Sequence, residues 1–95
     1  MSKKQKKKDN LDEADIDDIG SEVGARLYEF VLKSNPGLLD FSPKLIMGEY
    51  SGDVEQYVDV ATQNYIDDEN ETLSTSSFKK ILKSAEKTLG ENIKV

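Results

Sequence analysis

Residues 51–66 read SGDVEQYVDVATQNYI, and their spacing decides the fold class. Val54, Tyr57, Val58, Ala61 and Tyr65 fall at i, i+3, i+4, i+7 and i+11, which puts them in one stripe along an α-helix. Ser51 reads as the N-cap, and Asp53 places a negative charge in the first turn, where the helix dipole favours it. The opposite face, with Glu55, Gln56, Asp59, Gln63 and Asn64, is polar and carries no base. One apolar stripe needs cover, so this is predicted to be a central helix buried by neighbours on both sides.

Upstream, Ser42-Pro43 is a helix start, with serine at N-cap and proline in the first turn. Phe41 and Ile46 stand in the staple relation across it. Gly48 and then Ser51-Gly52 keep that helix short. Asn35-Pro36-Gly37 reads as a turn with a positive φ at the glycine, and Leu38, Leu39 and Phe41 form an apolar cluster in the connection. Before it, Ile16, Ile19, Val23, Leu27, Phe30 and Val31 repeat at helical steps, with Asp12 as cap. Gly20 and Gly24 each weaken that helix by about 1 kcal/mol relative to alanine. The prediction is a firm helix over 21–33 with a frayed extension before it.

Downstream, Ser74 caps a last helix, Leu73 and Phe78 form its staple, and Phe78, Ile81, Leu82, Ala85 and Leu89 make its stripe. Gly90 is placed as the C′ residue that closes it. No stretch shows sustained period-two alternation, so no sheet is expected. The class is all-α: a small bundle of three amphipathic helices plus one short helix, with a disordered basic N-terminal arm. Residues 1–10 are the flexible arm and residues 11–95 a single small helical domain. A core of roughly 75 to 80 residues is near the lower limit for independent folding.

The net charge of −6 conceals blocks. Residues 1–10 carry +4, residues 11–24 carry −6, residues 51–72 carry −7 and residues 73–95 carry +3. Such blocks attract one another within a molecule or select a partner of complementary pattern. With no cysteine and no histidine, the chain lacks thiolate chemistry and the commonest general base and metal ligand. No apolar run approaches the ~18 residues a membrane span needs. The early lysines lead into LDEADIDD rather than an apolar run, and the expected location is cytoplasmic.

The acidic stretch IDDENETLSTSSF resembles the frame of an EF-hand calcium loop, with Leu73 as its central apolar residue and Phe78 just beyond it. Its ligands fail. Ile66, Glu71 and Ser77 occupy the positions of the first ligand, the turn glycine and the last glutamate, and only Asp68 and Asn70 match. No metal or cofactor is expected. A helix-turn-helix reading of the two middle helices also fails, because Asp53, Glu55 and Asp59 would face a polyanion with no base among them. Adjacent carboxylates such as Asp17/Asp18 point apart on a helix, so no catalytic pair forms.

The reading is therefore a non-enzymatic protein–protein interaction module, of the adaptor, inhibitor, assembly-chaperone or regulatory-subunit kind. It is expected to bind a macromolecular partner, another protein or a second copy of itself, through helical faces and segregated charge. Tyr28, Phe41, Tyr50 and Tyr57 are the candidate contact residues, since tyrosine and phenylalanine anchor interfaces. The alternative is a nucleic-acid-associated protein using the arm lysines Lys3, Lys4, Lys6, Lys7 and Lys8. Lys79, Lys80, Lys83 and Lys87 on the last helix would join them. No aromatic interleaves the arm lysines, so bases would have nothing to stack on.

Overall fold

The computed structural model describes residues 7–8, 11–66 and 71–94. Within these, α1 spans Glu13–Ser34, a 3₁₀ turn spans Pro36–Asp40, and α2 spans Pro43–Glu49. α3 spans Ser51–Thr62 and α4 spans Thr75–Lys94. The all-α expectation holds. One small departure is a parallel pairing of β1 (Lys7–Lys8) with β2 (Glu71–Thr72), which no alternation in the sequence announces. The rest of the expected arm, with Lys3, Lys4 and Lys6, lies outside the described residues, as do Asp68 and Asn70.

α1 is one continuous helix, so the expected firm start at Ser21 is corrected. Its beginning is held by a complete capping box: the Asp15 N–H donates to Asp12 Oδ1 at 2.9 Å, and the Asp12 N–H to Asp15 Oδ2 at 3.5 Å. Gly20 and Gly24 do not break the helix because their bare backbone is where α4 docks. A Cβ on Gly24 would lie 2.6 Å from the Ala85 carbonyl oxygen, and one on Gly20 would strike Ser84. Ser84 Oγ reaches the Asp17 carbonyl at 3.5 Å, and Thr88 Oγ1 lies 3.4 Å from Ser21 Oγ. These paired positions rise together along both helices, so α1 and α4 run parallel. Their small residues set a close approach, as small-xxx-small patterns do generally.

α3 runs back along the other side of α1. The Phe30 ring meets Tyr50 edge-on, with centroids 5.4 Å apart, and further down α1 Arg26 acts on Tyr57 and Asp18 on Tyr65. α2 crosses the end of the bundle and rests on α4, where a Cβ on Gly90 would lie 3.2 Å from Pro43 Cγ. Gly90 is thus a packing point inside a helix that continues to Lys94, and the expected closure there is corrected.

Three further boundaries differ from expectation. No glycine has a positive φ, and Pro36-Gly37 opens the 3₁₀ turn instead of a turn with left-handed glycine. Ser51 is already helical. Tyr50 links α2 to α3 directly: its N–H donates to the Ile46 carbonyl at 3.1 Å and its carbonyl accepts from Val54 at 2.9 Å. α3 ends at Thr62, whose hydroxyl donates back to the Val58 carbonyl at 2.8 Å, and Tyr65 lies beyond it, exposed rather than in the stripe.

The core takes Ile16, Ile19, Val23, Leu27 and Val31 from α1, Ile46 from α2, Val54, Val58 and Ala61 from α3, and Ile81, Ala85 and Leu89 from α4. Every main helix places most of its predicted stripe there, with Phe30 and Tyr65 exposed and Tyr57, Phe78 and Leu82 half-buried at its margin. Full burial of such a side chain contributes roughly 1.5–3 kcal/mol. α1 touches both other long helices and is the axis of the bundle. The backbones of α3 and α4 barely approach each other.

Candidate functional site

Because α3 and α4 stay apart, the side chains between them form an open groove. Val54 of α3, Phe78 and Leu82 of α4, and Met47 of α2 line it with apolar surface. Glu55, Lys83 and Glu86 stand around it. It continues toward the start of α4 past Glu55 and Phe78, where Asp59, Leu73 and Thr75 join the walls. Met47, Leu73, Phe78 and Leu82 are half-buried and rest on the core, so the groove floor is built on rigid packing.

The opposite seam, between α1 and α3, is aromatic and acidic. Phe30 and Tyr50 form its upper end and Tyr57 its middle, while Tyr65 faces Asp15, Asp18 and Glu22 of α1. The Tyr57 hydroxyl is pushed above its ordinary range by burial and then by Asp53, with Arg26 opposing. Tyr65 is raised in the same direction, first by loss of hydration and then by the three α1 carboxylates. Arg26 is engaged by Glu22 at 3.1 Å, so this seam offers net negative charge around its rings.

The proposed contact tyrosines are only partly brought together. Tyr50 and Tyr57 share the α1–α3 seam; Tyr28 is half-buried on α1 and packs on the core. Phe41 ends the 3₁₀ turn with 52% of its surface exposed. Phe30, Val60 and Tyr65 are not among the contact residues expected from the sequence, yet each is exposed. Phe30 and Tyr65 read as stripe residues; Phe30 lies at the edge of the core against Tyr50, and Tyr65 lies past the end of α3.

The lysines of α4 divide. Lys80, Lys83 and Lys87 line a groove with Glu13 and Asp17 of α1, so the basic and acidic blocks of the sequence meet inside one molecule. Lys83 and Lys87 also border a shallow depression with Lys44 and Lys94, where Glu86 and Glu91 intervene. Lys79 is exposed and lines neither. Carboxylates among these ammonium groups lower the potential a polyanion would meet.

Among the described residues no three carboxylates gather as metal ligands, and no helix is long and apolar enough to cross a membrane. Among the described side chains no buried polar atom lacks a hydrogen-bond partner. No family model matches the chain, and neither the curated proteins nor the solved structures give a match.

Proposed function

We propose that this chain is a non-enzymatic protein–protein interaction module that binds a macromolecular partner through its helical faces and segregated charge. The observation that carries this reading is the unclosed seam between α3 and α4. A three-helix bundle that buried all its apolar surface would bring those helices together. Here Met47, Phe78 and Leu82 remain half-buried beside Val54 in an open groove. Half-buried apolar side chains on rigid walls are what an incoming helix uses. The exposed Phe30–Tyr50 edge and Phe41 add apolar surface away from that groove, consistent with an adaptor or regulatory subunit that touches more than one surface. A cytoplasmic setting is part of the same proposal.

The test is capture with the full chain as bait, followed by cross-linking and measurement of its mass in solution. The expected result is one stoichiometric protein, or a homodimer, cross-linked through helical residues. A monomeric mass with nothing retained but the bait argues against the reading. A gel shift of duplex DNA that fades steeply with salt would favour the lysine-based alternative instead.

A further inference from the structure

We propose that the α3–α4 groove receives an amphipathic helix with a basic polar face, contributed by a different protein; this rests on the interaction reading above. The long walls of the groove, α3 and α4, are helices whose backbone hydrogen bonds are internally satisfied, so along them no unpaired edge is offered to an extended strand. A helix brings its own satisfied backbone and needs only an apolar floor. Ser51 to Asp59 along α3, and Thr75 to Glu86 along α4, give the groove a length of roughly 12–16 Å, or two to three helical turns.

Charge selects the occupant. Among the described side chains, Glu55, Asp59 and Glu86 border the groove against one ammonium group, Lys83. An incoming helix with lysine and arginine beside its apolar stripe meets complementary carboxylates, while an acidic one meets repulsion. A second copy of this chain is a poorer occupant, because the apolar residues its long helices expose, Phe30, Leu32 and Val60, do not form a stripe flanked by bases.

The test titrates the full-length protein into two fluorescent helical peptides that share one leucine stripe. One carries lysine and arginine on its polar face, the other glutamate. Fluorescence anisotropy is expected to show the basic peptide bound about tenfold more tightly, a preference typical of complementary charge. Amide shift changes should centre on Met47, Val54, Phe78 and Leu82. The double change Glu55→Lys with Asp59→Lys should weaken the basic peptide about tenfold. The charge-matched pair Asp18→Lys with Glu29→Lys, on α1 and away from the groove, should leave it within about twofold.

Equal weakening by both pairs would reduce the effect to net charge and overturn the proposal. So would a shift map centred on Tyr57 and Tyr65, or no saturable binding while circular dichroism shows the fold intact. A dimer of this chain whose cross-links run through Phe78 or Leu82 would overturn it as well. If the peptide fails but a captured protein cross-links elsewhere on the surface, only this inference falls. If nothing is captured at all, the broader reading falls.

Discussion

Gly24 lies against the backbone of Ala85: a Cβ placed on it would come within 2.6 Å of the Ala85 carbonyl oxygen and 2.9 Å of Thr88 Cβ. Glycine in a helix ordinarily weakens it by roughly 0.5–1 kcal/mol relative to alanine. Here that local loss is the condition for α4 to dock, because a backbone atom cannot rotate away as a side chain can.

Gly24→Ala should therefore destabilise the fold, by about 1–3 kcal/mol as for other overpacked sites, despite the better helix propensity of alanine. Gly48→Ala is the control. Nothing lies within 4 Å of a Cβ there, so the same change should stabilise by about 0.4–1 kcal/mol. Urea denaturation of both variants checks the pair. A stabilised Gly24→Ala protein would mean that α1 and α4 are not in contact at this position.

Asp12→Ala should lose about 1 kcal/mol, the usual effect of deleting an N-cap acid, and faster amide exchange should be confined to the first turns of α1. Asp12→Ser keeps an acceptor for the Asp15 N–H and should retain most of the stability. If exchange over residues 13–20 does not change in Asp12→Ala, the capping box is not what holds this end.

How much of this was legible beforehand follows from what each feature depends on. Stripe and cap are local, so Asp12, Ser42 and Ser74 and the buried faces of all the long helices were readable from spacing. The continuity of α1 was not. Gly20 and Gly24 announce weakness locally, and only Ser84, Ala85 and Thr88, some 60 residues further on, turn that weakness into a docking surface. Gly90 failed for the same reason, since Pro43 on another helix gives it a use inside α4. The groove was equally hidden. Val54, Phe78 and Leu82 look like ordinary stripe residues until the separation of α3 from α4 leaves a space between them. Tyr65 matched the period of α3 but lies past its end, because Thr62 and the turn after it stop the helix first.

Tyr57 gives a pH dependence with a definite sign. Its folded value is raised above the usual 10 by burial and by Asp53, so the folded state holds the phenol protonated more firmly than the unfolded chain does. The stability it contributes is complete below about pH 10 and is lost as pH rises through the raised value. Tyr57→Phe has nothing to ionise there, so it should lose less stability than the parent between about pH 9 and pH 11. Tyr65 is raised in the same direction and remains, so part of the alkaline loss should persist. Denaturant unfolding at the two pH values, compared as a difference between proteins, cancels the titration of the lysines. Equal losses would show that Tyr57 ionises as freely in the folded state as in the unfolded one.

Two valines on α3 test the placement of the central helix. Val58 is 1% exposed and belongs to the core, whereas Val60, two residues on, is 45% exposed. Aspartate at position 58 would sit among apolar side chains with no cation to pair with it. An unpaired buried charge costs several kcal/mol, comparable to the whole stability of so small a domain. Val58→Asp should thus lose helical circular dichroism and cooperative melting. Val60→Asp puts the same charge on the same helix in contact with water, so the fold should survive with a change within about 0.5 kcal/mol. The pair separates burial from helix propensity, because both substitutions replace a β-branched residue by aspartate within one helix. A folded, cooperatively melting Val58→Asp protein would mean that α3 presents a different face to α1. Unfolding of both would mean that the acidic charge already on α3 is at its limit, and that the helix depends on charge rather than on its stripe.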